Sequence, residues 1–279
     1  MYWALASMVM NSIGKVYLKQ ALKYNVFVEL NDLIRQIPTF IVFLLYGIFY
    51  LSGIFQNTFL WSLTGITVVL YAFWRVTTNS ILRKEKISAL MPYSNVSSIC
   101  TIIFSFFLFS DISLFSFIIA MVTMCVIIIS AIDVRHLKIS KNIMVFTLGH
   151  LFFSIGNIIM GYILINNSAI DYFIYYVILS TIFSYIICLV MGKIWQYKEL
   201  SAAYYQNSIL SGSLGWIAWF ISLVVVKELG LSVSTLIWFL AIAVTLGLWY
   251  FILKDIPTKK DIILTIIVSG LVGLWFYFK

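Results

Sequence analysis

Lys15 and Arg75 are cations set inside apolar runs, SIGKVYL and AFWRVTT. A charge within a membrane span costs at least ~2.5–3.5 kcal/mol on insertion scales, and such residues usually face a cavity or a partner. The competing reading is snorkelling, in which a long stem carries the charge to the interface. Lys19 fits that reading. Arg75 stands about two turns from the end of its run, and Lys15 nearer the middle of its own. All ten acidic residues fall in loops or at the ends of apolar runs by this reading. Lys15 and Arg75 are therefore expected to lack carboxylate partners in the membrane. A substrate carboxylate or phosphate would then supply the anion.

Further polar side chains recur at helical spacing, which places them on single helix faces. Ser7 and Asn11 share a face with Lys15; Thr64, Thr67, Tyr71 and Asn79 share one with Arg75. Ser94, Ser97, Ser98, Thr101 and Ser105 form a third set, and His150, Ser154 and Asn157 a fourth. Tyr204, Asn207, Ser211, Gly215 and Ser222 form a fifth, and Thr235 with Trp238 a weaker sixth. Serine and threonine in spans also bond their own backbone or let helices approach closely, which competes with a binding role. Asparagine and histidine are costlier to bury, so Asn11, Asn157 and His150 carry more weight. Among these groups only His150 could relay a proton. The expectation is facilitated exchange or uniport, or else a His150-dependent proton step.

The elements that position these faces follow from composition. The 279 residues are 63% hydrophobic and 10% charged, with mean hydropathy +1.05. Soluble domains carry about 25% charged residues, so lipid is the expected solvent of this chain. At about 20 apolar residues per span, ten spans use most of the length. They are placed at 3–21, 38–55, 59–82, 87–110, 113–132, 143–164, 172–192, 203–226, 231–253 and 260–278. Pro38 opens the second, where a missing N–H costs little. Before it, Phe27, Leu30 and Ile34 recur at helical spacing between Glu29, Asp32 and Arg35. That pattern fits a short amphipathic helix at the interface or an ordinary loop.

The net charge of +8 reflects topology rather than nucleic-acid binding. Fourteen basic residues lie in the loops after odd-numbered spans, against Lys227 and Lys279 on the other side. By the positive-inside rule both termini lie outside the cytoplasm. Cys100, Cys125 and Cys188 sit in apolar runs and are expected to be buried free thiols, neither a disulfide framework nor a metal site. MYWALASMVM lacks a basic n-region, so no cleaved signal peptide is expected.

The chain also repeats itself. FLFSDISL at 107–114 matches FILKDIPT at 251–258, with Asp111 on Asp255 at an offset of 144. KEKIS at 84–88 matches KELGLS at 227–232, and SIGK at 12–15 matches SIGN at 154–157. A unit of five spans is odd, so its second copy enters the membrane inverted. The expected fold is an all-α polytopic membrane protein of ten transmembrane helices in two inverted five-helix repeats, 1–137 and 138–279. In inverted-repeat carriers the substrate site lies near the midplane between the copies.

The five-plus-five layout resembles the drug/metabolite transporter superfamily in its ten-span form with two EamA-type repeats. WALASMVMNSIGKVYLKQAL, KISALMPYSNVSSICTIIFSFFLFSDISL and LSVSTLIWFLAIAVTLGLWYFILKDIPT carry the resemblance, which covers nearly the whole chain. It implies that the fourth and ninth spans end at Asp111 and Asp255. It also implies a central cavity lined by spans one, three, four, six, eight and nine, the spans richest in polar faces. Tyr93 and Trp238 enter the candidate set through that placement. Two features depart from the family. Its members are often described with cytoplasmic termini, against the charge bias here. Its small multidrug exporters use a glutamate in the first span, which this chain lacks.

The resulting expectation is a secondary transporter of small anionic or zwitterionic metabolites, such as amino acids, in the cell (inner) membrane. Nucleotide sugars or lipid-linked phosphates are the alternative cargo. The candidate substrate-binding residues are Asn11, Lys15, Tyr71, Arg75, Asn79, Tyr93, Ser94, Ser97, His150, Ser154, Asn157, Asn207, Ser211 and Trp238. An intramembrane enzyme is disfavoured: no HExxH, GxSxG or pair of aspartates lies within the spans. No cofactor, metal or nucleic-acid partner is expected. The expected partners are a small-molecule substrate and membrane lipid, with the chain a monomer or homodimer.

Overall fold

The computed structural model describes residues 2–24, 26–50, 57–85, 87–109, 114–133, 138–231 and 234–235, with Lys259 and scattered positions from 262 to 274. Eight long helices occur among them: α1 (Tyr2–Leu22), α2 (Val28–Tyr50), α3 (Thr58–Leu82), α4 (Ile87–Phe109), α5 (Leu114–Ala131), α6 (Lys141–Asn166), α7 (Ala169–Val190) and α8 (Ala202–Leu229). A two-residue pairing, β1 (Ile132–Asp133) with β2 (Lys138–Ile139), lies between α5 and α6. The expected ninth and tenth spans, with Trp238, Asp111 and Asp255, fall largely or wholly outside the described residues.

Local chemistry sets the helix ends. Asn57, Ser168 and Ser201 accept hydrogen bonds from the backbone N–H three residues on and so cap α3, α7 and α8. After α7, Lys193 N–H reaches the Cys188 carbonyl and Gly192 N–H the Leu189 carbonyl. That closure needs a left-handed residue, and Gly192 supplies it at φ 62°.

Polarity is arranged as in a membrane protein. α3, α6, α7 and α8 are long and apolar enough to cross a membrane. Their outward sides carry Phe59, Ile66 and Phe73 on α3, Leu148 and Ile155 on α6, and Ile182 and Ile186 on α7. Inside are Thr64, Thr67, Ser154, Ser180, Ser208 and Ser211, each fully or almost fully buried. Apolar surface of this extent needs lipid to cover it. Of the three free cysteines, Cys100 and Cys188 are buried as expected; Cys125 is exposed, because its side of α5 has no helix against it among the described residues.

The helices pack in a definite pattern. α1 lies on α8, α3 on α6, α2 on both α7 and α8, α3 on α7, and α4 between α5 and α6. Small residues permit the closest approaches. A Cβ at Gly14 would lie 3.3 Å from the Ser211 carbonyl oxygen and 3.4 Å from Gly215 N. Gly156 faces the Tyr71 ring, and Gly212 faces the backbone of Arg35. Ser7 joins α1 to α8 by donating to the Ala218 carbonyl at 2.8 Å. Aromatic rings of α7 and α8 fill the centre, with Tyr176 and Trp219 centroids 4.5 Å apart.

The second span is the largest departure from the expected boundaries. It begins at Val28 rather than Pro38, and Pro38 lies inside it. The residues from Val28 to Arg35 are thus the first turns of α2, neither a loop nor a separate short helix. These turns are buried, with Asn31, Asp32 and Gln36 at most 3% exposed. Partners on other helices make that burial tolerable. Asn31 Oδ1 accepts from Tyr204 and Ser208; Gln36 Oε1 accepts from Ser180 and Thr181.

Candidate functional site

Helix α3 sets Tyr71, Arg75 and Asn79 on one face at intervals of four. Arg75 is not unpaired. Its Nε lies 3.0 Å from Asp32 Oδ2, and its Nη1 donates to the Tyr176 hydroxyl at 3.2 Å. Asp32 also accepts from Arg35 Nη1 at 3.2 Å. This corrects the expectation that both intramembrane cations lack a carboxylate. The physical reason is the earlier start of α2, which carries Asp32 inward to the level of Arg75. The Nε of Arg35 and of Arg75 make no hydrogen bond among the described residues; the Arg75–Asp32 contact is an ion pair without N–H alignment.

Lys15 differs. It is half-buried on α1, and no described residue gives it a hydrogen bond or ion pair. One turn further along, Lys19 donates to the carbonyls of Leu82 and Glu85 at the end of α3. α1 and α3 thus end together. His150, on α6, is within electrostatic range of Lys15. Thr78 lies beside α6 there, 3.7 Å from the position of a Cβ at Gly149. Trp74 stands edge-on to His150, centroids 6.1 Å apart.

This region concentrates buried polar atoms without partners. Among the described residues, Trp74 Nε1, Thr78 Oγ1, Asn79 Nδ2 and both nitrogens of His150 make no hydrogen bond. Buried polar groups are rarely left so. Trp74 and the Asn79 amide can only donate through those atoms, Lys15 only donates, and His150 offers at least one N–H. The set is donor-rich and cationic, suited to an oxyanion.

Other candidates are engaged in packing. Tyr71 donates to Asn157 Oδ1 at 2.8 Å, tying α3 to α6. Ser154 donates to the Ser97 carbonyl at 2.8 Å, tying α6 to α4, and to the His150 carbonyl. Ser97 donates to the Ser94 carbonyl. Tyr93 is buried in the apolar cluster of α4 and α6. Ser211 is fully buried with its hydroxyl unpartnered, against α1 near Gly14. Asn11 and Asn207 are half-buried on α1 and α8.

Sequence reasoning missed Asp32, Arg35, Trp74, Thr78 and Tyr176. A signal existed for the first two: an i,i+3 acid–base pair on the helix side opposite Leu30 and Ile34. Tyr176 and Trp74 gave none, being aromatics among many. Among the described residues no three His, Cys, Asp or Glu side chains gather as metal ligands would.

No protein-family model matches this sequence, and no curated protein matches it. A solved crystal structure of a protein superposes on the chain with TM-score 0.64 at 12% identity, over 99% of this chain and 96% of that one. At that identity the likeness speaks to fold alone.

Proposed function

We propose that this protein is a multi-pass secondary transporter of the cell membrane that carries small anionic or zwitterionic metabolites by alternating access. The observation carrying the proposal is Lys15: a half-buried cation in an apolar run with no described partner, in electrostatic range of His150 on α6, whose ring nitrogens are also unpartnered among the described residues. A protein keeps such a set when a ligand completes it. A carboxylate matches its charge and donor count. Arg75 contributes less directly than its position in the sequence implies, because Asp32 already faces it.

The helix pairing supports two inverted five-helix repeats. Exchanging each helix for the one five places on turns the α1–α8 contact into α6–α3 and the α2–α8 contact into α7–α3; both partners of each exchange occur. α2 and α7 would then be each other's counterparts, and they pack together. Gln36 touches Ser180, 144 positions on, the offset at which Asp111 falls on Asp255. A residue that meets its own counterpart lies on a twofold axis. The equivalent glycines Gly14 and Gly156 each stand where the first helix of a repeat meets its partner. Rocking one repeat on the other about this seam is the motion alternating access needs. The reading is of a carrier rather than an enzyme.

The test is a thermal-shift screen of the purified full chain against amino acids, other carboxylates and phosphate esters. A ligand that binds only the folded state at 100 times its Kd adds about 2.7 kcal/mol. Carboxylate metabolites are expected to stabilise the wild type more than Lys15→Ala. The proposal is overturned if no anion stabilises the wild type, or if Lys15→Ala responds equally.

A further inference from the structure

The ion pair between α2 and α3 has a counterpart that is not ionic. Moving 144 positions along the chain takes Asp32 to Tyr176 and Arg75 to Trp219. Those two rings pack against each other at 4.5 Å. The same place in the two halves thus holds a buried charge pair once and an aromatic pair once. Packing alone does not require the charges, since apolar residues of similar volume often replace a buried ion pair with no loss of stability. The aromatic pair in the other half does that work within this molecule.

The charged version is also incomplete. Asp32 faces two guanidinium groups, Arg35 and Arg75. Glu29 and Arg83, in electrostatic range at one edge, add one charge of each sign and leave the excess at one positive charge. Each guanidinium has five N–H donors, while the acceptors found for the two are the Asp32 carboxylate and the Tyr176 hydroxyl. Both Nε atoms are buried without a hydrogen bond among the described residues. Arg75 also spans the seam, with Asp32 from the first half on one side and Tyr176 from the second on the other.

We infer that Arg35 and Arg75 form a carboxylate-binding site held in this conformation by the protein's own carboxylate, Asp32, which an incoming carboxylate displaces from Arg75. Arg75 keeps its bond to Tyr176 throughout. Displaced from Arg75, Asp32 stays paired with Arg35, and the incoming carboxylate compensates the one positive charge in excess, so no uncompensated charge is left in the membrane. In a carrier, this step makes the empty and loaded states electrically alike at Arg75. That role rests on the transport reading; the anion site itself does not.

The experiment uses the full chain in detergent, with sodium acetate and sodium phosphate as probes at constant ionic strength. Asp32→Asn keeps the side-chain shape and removes the resident anion. The half-saturating acetate concentration for thermal stabilisation is expected to fall at least tenfold relative to wild type. Asp32→Asn/Arg75→Gln is expected to lose that gain. The inference is overturned if Asp32→Asn responds to acetate as the wild type does, if the double variant keeps the gain, or if only phosphate produces it. Should Asp32→Asn not survive purification in chloride, recovery in acetate is expected, and failure in both salts overturns the inference. The transport reading fails separately, through Lys15→Ala and the metabolite screen.

Discussion

At the scale of single residues, burial here is governed by whether a polar group has a partner across a helix interface. Arg75, Asp32 and Gln36 have them; Lys15 and His150 do not among the described residues. Small residues follow the same logic in steric form. Gly212 abuts the Arg35 backbone, which cannot rotate away as a side-chain tip could, whereas Gly65 has nothing within 4 Å of an added Cβ. Gly212→Ala is therefore expected to destabilise by about 1–3 kcal/mol through overpacking, measured by chemical denaturation in detergent. Gly65→Ala is expected to be neutral or to stabilise by up to about 1 kcal/mol through helix propensity. Equal effects at the two sites would refute the steric account.

At the scale of elements, α2 is the instructive case. Its polar first turns read as surface or loop, and Pro38 read as a helix start. Neither signal was false: the polarity and the proline are both there. The helix nonetheless continues through Pro38, because its first turns are anchored to α3, α7 and α8 by Asp32, Gln36 and Asn31. The α2–α7 crossing depends on Gln36, whose carbonyl oxygen accepts from two hydroxyls. Gln36→Leu should cost about 1–3 kcal/mol by leaving Ser180 without its acceptor. Adding Ser180→Ala should recover part of that loss, which a double-mutant cycle on unfolding would detect. Thr181 also donates to the Val177 carbonyl, so it loses less than Ser180.

At the scale of the molecule, the polar inward sides of α3, α6 and α8 were legible from helical period, and the structure buries most of those residues; the inward side of α7, with Ser180, Thr181 and Ser184, was not read from the sequence. Orientation is a separate matter, decided by charge. The basic loops after odd-numbered spans lead to the expectation that both termini face away from the cytoplasm. Reporter fusions after Lys279 should give a non-cytoplasmic signal, and fusions in the α7–α8 loop near Lys193 and Lys198 a cytoplasmic one. The opposite pattern would invert the assigned topology without disturbing the helix packing.

The sequence by itself determined that this chain forms long apolar helices of the kind that cross a membrane, and which face of several of them is polar. Those properties depend on composition and on a period of 3.6 residues, both local. It also marked Lys15 and Arg75 as costly charges. Only the tertiary structure decided which of the two has a partner. Asp32 is forty-three positions from Arg75, on a segment whose polarity excluded it from the membrane by any local measure. The ion pair exists because α2 begins ten residues earlier than its apolar run, a choice made by contacts with three other helices. Pairwise partners across helices leave no periodic trace in one chain, so the sequence could give the sign of the site and not its arrangement.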